Sequence, residues 1–512
     1  MARLSLLTAA VALAVSCTGI APGPAGAAVY NWPEIEQNAV PRADCGPGSL
    51  PETGVQGDVP AEDRLSGRSA AGYRCNTSFV GGLQQQGGGT LSAVYDHCSY
   101  TGTFFPGNLL NGAAPGVHVI DASDPANPVQ TASLDEPAML GGTWESLKVN
   151  HARKLLAATA VPITTGTAYF SIYDISDCAH PRLLNPGPGT DLTMPLPFLS
   201  HEGGFSPDGN TYWATSTSPG LVTAIDVSDP STPRVIWHGL QSLTAHGFGI
   251  SPDGTEMYLS IQNGINILDI SAIQRRDPYP VVPQIATYHW GDGYFNQQAV
   301  PVTYAGRPHI FVGDEAGSGG VKLIDVTDPA RAVRKATVKL EINTPARLGE
   351  HARSAAGSPL FSYDAHYCVA DRPNDPTALA CSWLASGIRV FDVRDPGAIR
   401  EIAYFNPPAQ TGKAFQLPNS VNSDLAFVGV PVWNFVPLAR EMLNGKLQPG
   451  EALGPRSGMV TKNDMSADMC LSPPVFRGTQ IWTTCSDNGF LIFELDNGVY
   501  TPPADQEPTI GA

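Results

Sequence analysis

The feature that most constrains this 512-residue chain is a ten-residue phrase that recurs along it. The phrase runs Gly, four mostly apolar residues, Asp, an apolar residue, Ser or Thr, and Asp-Pro, as in GVHVIDASDP from Gly116 and GVKLIDVTDP from Gly320. Most copies are spaced by about 43 to 67 residues, and a longer interval precedes the last and weakest copy. Aligned on the first acid, the seven copies are centred on Asp121, Asp174, Asp226, Asp269, Asp325, Asp392 and Glu494.

A period of this length is typical of the blades of a β-propeller, each of which is a four-stranded sheet. The apolar run predicts a strand, and the Asp-Pro that follows predicts a turn, because Pro lacks the N–H that a central strand needs. Two further segments, HEGGFSPDGNTYWATS from His201 and AHGFGISPDGTEMYLS from Ala245, predict hairpins that supply the two inner strands of a blade. The sequence therefore predicts an all-β fold, a seven-bladed β-propeller of four-stranded antiparallel blades.

The composition agrees with many short strands joined by turns. Gly (53) and Pro (46) are abundant, and hydrophobic residues make up 42% of the chain, enough for a packed core. The net charge of −17 argues against nucleic acid or an anionic membrane as a partner, since both need a basic surface.

The ends of the chain predict export and a single domain. Arg3, the apolar run from Leu4 to Val15 and the small residues at 25–27 predict a signal peptide over residues 1–27. AVSC at residues 14–17 leaves a cell-surface lipoprotein as the alternative to a secreted protein. No segment is long and apolar enough to predict a transmembrane helix. We expect the protein to be a monomer. The remaining divisions are an extended segment (28–68), the propeller (69–498) with an insertion at about 405–462, and a C-terminal tail (499–512).

Removal of the signal peptide leaves eight cysteines, an even number that predicts disulfides in an exported protein. Three pairs flank predicted inner hairpins, where adjacent strands bring two Cβ atoms within reach of a disulfide. The predicted bridges are Cys75–Cys98, Cys368–Cys381 and Cys470–Cys485, and Cys45–Cys178 remains by elimination.

The phrases GVHVIDASDP, LVTAIDVSDP and GVKLIDVTDP resemble the LVIVD repeat of exported bacterial and archaeal β-propeller proteins. The resemblance covers roughly residues 70 to 497. It implies a seven-bladed propeller and no particular activity, because a fold does not define a function.

Propellers place their sites where the innermost strands begin, at one end of the central channel. The residues at the matching position of each blade are predicted to form a ring of Tyr73, Glu145, His201, His246, Gln298, His366 and Asp468. Imidazole and carboxylate are ligands of Zn, Cu, Fe and Mn. His201, His246 and His366 are therefore predicted to hold one ion, with Glu145 or Asp468 as a further ligand or base, and His351 could add to them from the rim. The alternative is that these polar side chains satisfy one another and water in a wet channel.

The histidine ring also resembles that of the selenium-binding-protein and methanethiol-oxidase propellers, which bind copper in the channel. This chain lacks their paired adjacent histidines and their cysteine motif, so the resemblance implies no substrate. Two functions stay open. One is a binding or scaffold module for a protein, carbohydrate or small-molecule ligand at the cell envelope or outside the cell, with a metal site at the channel mouth. The other is a metal-dependent (Cu, Zn or Fe) oxidoreductase or hydrolase.

Overall fold

A computed structural model describes twelve stretches of the chain. They are residues 35–84, 87–89, 91–102, 116–140, 142–160, 168–186, 193–194, 200–347, 349–351, 362–408, 468–507 and 509–510. The predicted signal peptide (1–27) and most of the predicted insertion (about 405–462) lie outside these residues.

Seven antiparallel sheets of four principal strands account for almost all of the described structure, so the fold is the predicted seven-bladed β-propeller. The first two strands, β1 (Tyr73–Cys75) and β2 (Thr77–Leu83), belong to the last two blades. The first three blades then follow in chain order. Blade one contains β3 (Ser92–Tyr95), β4 (Cys98–Thr101), β5 (Val117–Asp121) and β6 (Val129–Leu134). Blade two contains β7 (Lys148–Asn150), β8 (Leu155–Thr159), β9 (Ala168–Asp174) and β10 (Arg182–Leu183), and β11 (Thr193–Met194) also pairs with β9. Blade three contains β12 (Glu202–Phe205), β13 (Thr211–Thr215), β14 (Gly220–Asp226) and β15 (Arg234–Ser242).

The other four blades have the same order of strands from the channel outwards. Blade four contains β16 (Phe248–Ile250), β17 (Glu256–Ile261), β18 (Gly264–Asp269) and β19 (Gln284–His289), and blade five contains β20 (Tyr294–Tyr304), β21 (Arg307–Ala316), β22 (Val321–Asp325) and β23 (Val333–Val338). Blade six contains β24 (Cys368–Ala370), β25 (Ala378–Ser382), β26 (Ile388–Asp392) and β27 (Arg400–Asn406). Blade seven contains β28 (Val475–Arg477), β29 (Gln480–Cys485) and β30 (Gly489–Leu495). The described helices are short: α1 (Ala61–Ser66), α2 (Pro137–Leu140), α3 (Ser271–Gln274) and 3-10 turns at Arg68–Ala71, Pro329–Arg331, Glu341–Asn343 and Pro345–Arg347.

The repeated phrase forms the third strand of each blade, buried on both faces because the blades stack on one another. In β14, Ile225 packs against blade two, whereas Val222 and Ala224 pack against blade four. The Gly that opens the phrase allows the third and fourth strands to approach closely. Gly116 has φ +77°, and a Cβ there would lie 2.0 Å from the carbonyl oxygen of Leu134.

The N-terminal strands close the ring of blades. β1 pairs with β27 at the outer edge of blade six, and β2 pairs with β30 as the fourth strand of blade seven. The prediction that Tyr73 and Cys75 begin the inner hairpin of blade one was therefore wrong. The innermost strand of blade one is β3, which begins 19 residues after Tyr73.

Two of the predicted disulfides are confirmed and two are wrong. Cys368–Cys381 joins the two inner strands of blade six, and Cys470, which lies before β28, is bonded to Cys485 at the end of β29. Cys75 pairs with Cys45 rather than Cys98, because β1 lies in blade six beside the N-terminal segment. Cys98 pairs with Cys178, which follows β9, so this disulfide joins blade one to blade two.

The segment that precedes the propeller packs against blades five and six. Glu52 forms an ion pair with the buried Arg389 of β26, and Val59 belongs to the hydrophobic core of these blades. At the other end of the chain, β31 (Thr509–Ile510) pairs with β24, the innermost strand of blade six. Among the described residues, no helix is long and apolar enough to cross a membrane.

Candidate metal centre in the central channel

Five side chains from five blades meet where the innermost strands begin. His201 directly precedes β12, while His246 and His366 each lie two residues before an innermost strand. Glu145 precedes β7 and is held beside blade three by a parallel bridge to Glu202 and a hydrogen bond from its own N–H to the carbonyl of His201. Glu315, from β21, completes the set.

His201, His246 and Glu145 form a compact group with three ligand atoms facing one another. Nε2 of His201 lies 2.9 Å from Oε2 of Glu145, and Nε2 of His246 lies 3.2 Å from the same oxygen. The two Nε2 atoms are 2.8 Å apart. Bonds of about 2.1 Å at right angles hold ligand atoms about 3 Å apart, so this triangle has the size of one face of a coordinated ion.

A second group shares Glu145 with the first. Nε2 of His366 lies 3.1 Å from Oε1 of Glu145 and 3.2 Å from Oε1 of Glu315. The amide nitrogen of Gln297 lies 2.8 Å from Oε1 of Glu145 and 2.9 Å from Nε2 of His366. Within each group of three, the ligand atoms all lie within 4.8 Å of one another, and all the residues are buried.

Backbone carbonyls orient two of the three imidazoles. Nδ1 of His246 lies 3.0 Å from the carbonyl oxygen of Asn296, and Nδ1 of His366 lies 2.7 Å from that of Leu471. Each contact places the proton on Nδ1 and points Nε2 towards Glu145. Histidine ligands of metals commonly have this arrangement, in which the second nitrogen donates to a carbonyl or carboxylate.

The carboxylates give the centre a negative field that favours a cation. Burial raises the pKa of Glu145, but the charges of His201 and His246 outweigh burial and hold this pKa well below its ordinary value. Burial lowers the pKa of His366, but Glu315 and Glu145 outweigh it and raise the pKa to about 10. Either protons on the imidazoles or a metal ion can satisfy this field.

Two aromatic residues with unusual backbone conformations flank the histidines. Trp144 (φ +42°) meets the ring of His201 edge-on at 4.8 Å, and Phe295 (φ +55°) lies 4.3 Å from the ring of His246. Bulky side chains rarely adopt positive φ, and such strain concentrates at functional sites.

A buried ion pair borders the centre. Lys148 lies 2.6 Å from a carboxylate oxygen of Glu202, which also accepts a hydrogen bond from the hydroxyl of Tyr367. Since Glu202 is already paired with a cation, Glu145 and Glu315 are the carboxylates that face the imidazoles.

The structure brings together four of the five predicted metal ligands, His201, His246, His366 and Glu145. Asp468 lies in neither group; it accepts hydrogen bonds from the backbone N–H groups of Met469, Asp487 and Asn488 in blade seven.

Two other predicted members of the ring, and the histidine predicted to add to it from the rim, have partners elsewhere. Gln298 donates to the carbonyl of Cys368, and Tyr73 donates to Asp63. His351 contacts the hydroxyls of Ser318 and Ser362.

Two residues of the centre, Gln297 and Glu315, were not predicted from the sequence. The register of β20 shifts between Asn296 and Ala299, so Gln297 takes the place predicted for Gln298, and no sequence signal marks such a bulge. Glu315 has a weak signal. The second strands of blades three, four and six end in Thr215, Ser260–Ile261 and Ser382, whereas that of blade five carries two adjacent acids near its end.

No family model matches the sequence, and a search of curated proteins finds no match. Among solved structures, the chain is similar to a putative 6-phosphogluconolactonase from Bacteroides fragilis NCTC 9343 (12% identity, TM-score 0.42, covering 60% of this chain and 81% of that one). It is also similar to a periplasmic gluconolactonase from Pseudomonas aeruginosa (14%, 0.42, 59% and 80%) and to Sqt1 from Chaetomium thermophilum (13%, 0.44, 82% and 99%). Likenesses this distant say nothing about function.

Proposed function

We propose that this protein is an exported β-propeller whose central channel binds a transition-metal ion through His201, His246 and Glu145. Zn and Cu are the metals predicted from the ring, and Fe fits as well, since two histidines and one carboxylate on one face are typical of non-haem iron sites. Three protein ligands leave coordination positions open, so the centre would suit a metal-dependent oxidoreductase or hydrolase.

The single observation that carries this proposal is the triangle of ligand atoms with edges of 2.8, 2.9 and 3.2 Å. The orientation of His246 by the carbonyl of Asn296 supports it, because the ring is turned so that Nε2 faces the other two ligands. The four disulfides of the described residues are consistent with export, since disulfides persist in oxidising compartments. The signal peptide and the resemblance to the LVIVD family remain predictions that agree with this proposal.

The competing explanation is a buried ion-pair network that only ties neighbouring blades together. Such networks also perturb pKa values and resemble sites. They predict a different behaviour towards metals: the protonated imidazoles would already satisfy Glu145 and Glu315, and an added ion would gain nothing by replacing them.

Elemental analysis of the exported, oxidised protein separates the two explanations. We expect about one equivalent or more of Zn, Cu or Fe in the wild type, and a loss of metal in His201→Ala, His246→Ala and Glu145→Gln. His180→Ala is the matched control, because His180 is exposed and outside the centre. The absence of bound metal, together with no rise in melting temperature on adding Zn²⁺ or Cu²⁺, would refute the proposal.

A second function, binding of a small molecule or carbohydrate, is favoured by a cavity of about 490 Å³ between blades six and seven. Phe79, which is 57% exposed, stacks parallel to Phe405 in its wall. Arg74 and Asn406 supply polar groups, and the buried Oδ1 of Asn406 has no hydrogen-bond partner among the described residues. An aromatic face beside a few polar groups is the usual composition of a ligand pocket.

Thermal shift measurements with a panel of sugars test this second function. A ligand should raise the melting temperature of the wild type and not that of Phe79→Ala. Phe476→Leu, a change at a buried residue of the same blade that does not line the cavity, controls for general destabilisation. If no sugar raises the melting temperature of the wild type, the proposal of carbohydrate binding is refuted.

A further inference from the structure

The two ligand groups in the channel meet at one residue. Glu145 contributes Oε2 to the group with His201 and His246, and Oε1 to the group with His366 and Glu315. We propose that the centre binds two divalent metal ions, with Glu145 as the carboxylate that bridges them. This inference rests on the proposed metal-binding function and extends it from one ion to two.

The division of Glu145 between the two groups is the main evidence. When a carboxylate serves one ion, its second oxygen is free to accept hydrogen bonds from its surroundings. Here the second oxygen faces His366 as well as the amide nitrogen of Gln297, and Nε2 of His366 also lies 3.2 Å from Glu315. The second group thus repeats the composition of a metal site, imidazole and carboxylate, on the far side of the shared residue.

The orientation of His366 provides a second, independent observation. Its Nδ1 lies 2.7 Å from the carbonyl oxygen of Leu471, which leaves Nε2 to face the two carboxylates. His246 is oriented in the same way from blade four. An imidazole whose only task was to join blades would not need its second nitrogen held by a backbone carbonyl from the next blade.

Gln297 provides a further ligand for the second ion. Its amide nitrogen contacts Oε1 of Glu145 and Nε2 of His366, while its Oε1 is buried and makes no hydrogen bond within the described structure. Rotation of the amide by 180° would exchange these atoms and direct the oxygen towards the second group. Without metal, the NH₂ group can donate to Oε1 of Glu145, so one side chain suits both states.

Two divalent ions would bring four positive charges to two carboxylates, Glu145 and Glu315. The centre would then take an anion as an additional ligand, either hydroxide or an anionic group of a substrate. Pairs of metal ions about 3.5 to 4 Å apart commonly hold such an anion between them. The inferred ligand class is therefore a small oxyanion or an anionic ester.

Metal stoichiometry tests the inference directly. The full-length exported protein is stripped with a chelator and titrated with Zn²⁺ by calorimetry, and the bound metal is counted by elemental analysis. We expect two Zn²⁺ per chain in the wild type, and one in both Glu315→Gln and Gln297→Ala. Gln298→Ala is the matched control, since Gln298 neighbours Gln297 on β20 but donates to the carbonyl of Cys368; it should bind two ions. Melting curves of the metal-free variants show that each is folded.

A second readout uses Mn²⁺. Two Mn²⁺ ions bridged by Glu145 should show a spin-coupled electron paramagnetic resonance spectrum, which Glu315→Gln converts to that of an isolated ion. One ion in the wild type, unchanged by Glu315→Gln, would overturn the two-metal inference and leave the proposed function intact. Two ions that persist in Glu315→Gln would also overturn it, because the second ion would lie elsewhere. No bound ion would remove both proposals.

Discussion

The first acid of the repeated phrase stabilises its own turn at each of six copies. Its carboxylate accepts a hydrogen bond from the backbone N–H two residues later, which satisfies a donor that the end of the strand would leave unpaired. In three blades an Arg eight residues further on, opposite the Asp on the fourth strand, pairs with the same carboxylate. The acids are Asp121, Asp174, Asp226, Asp269, Asp325 and Asp392, and the Arg partners are Arg182, Arg234 and Arg400.

Asp226 predicts a pH dependence of stability. Burial raises its pKa, but hydrogen bonds from Ser228 and Arg234 and the charge of Arg276 outweigh burial and hold the pKa below its ordinary value. A carboxylate with a depressed pKa stabilises the fold above its unfolded pKa of about 4, and this stabilisation is lost as the pH falls. Asp226→Asn should therefore cost about 1 to 2 kcal/mol at pH 7.

Denaturant unfolding at several pH values measures this effect. The difference between wild type and Asp226→Asn should be constant above about pH 5 and should close as the pH falls below about 4. Asp135→Asn, at an exposed residue that follows β6 in blade one, should change stability little at any pH. A difference that grows towards low pH would contradict the role given to Asp226.

At the scale of strands, local repetition was predictable and long-range pairing was not. The repeated phrase predicted the third strand of each blade, because its apolar run and its turn are local signals. The cysteine spacing succeeded for Cys368–Cys381, whose members lie opposite one another in a hairpin. It failed for Cys75 and Cys98, because nothing local shows that β1 joins blade six. The histidines were predictable from their fixed offset to a hairpin, whereas Gln297 depended on a bulge and Glu315 on a neighbouring strand.

The disulfides differ in the length of chain that they close, and this predicts different costs of removal. Cys98–Cys178 closes 80 residues and joins two blades, whereas Cys368–Cys381 closes 13 residues within one hairpin. Loop entropy gives about 4.5 kcal/mol for the first and about 3 kcal/mol for the second. Cys98→Ala/Cys178→Ala should therefore lower the melting temperature more than Cys368→Ala/Cys381→Ala, a matched pair because all four residues are buried. Equal melting temperatures would show that loop length does not determine the cost.

At the scale of the whole molecule, the ring is closed by strands from the beginning of the chain. β2 is the fourth strand of blade seven, and β1 covers the outer edge of blade six, where Cys45–Cys75 attaches it to the N-terminal segment. The channel centre depends on this closure, because its ligands come from separate blades whose distances are set by the ring as a whole. A propeller opened at blade seven would keep each blade but lose the spacing between Glu145, His201 and His366.

Removal of the closing strands should therefore affect stability and metal binding together. A chain that begins at residue 84 lacks β1, β2 and Cys45, and exposes the apolar edges of β27 and β30 to solvent and to other chains. We expect its melting temperature to fall by roughly 10 °C or more and its metal content to drop with it. A chain that begins at residue 40 is the control, because it keeps both strands and the disulfide. If the shorter chain retained the wild-type melting temperature and metal content, the ring would not need its N-terminal strands to hold the centre. Loss of metal at an unchanged melting temperature would instead mean that the closing strands position the ligands without contributing measurably to stability.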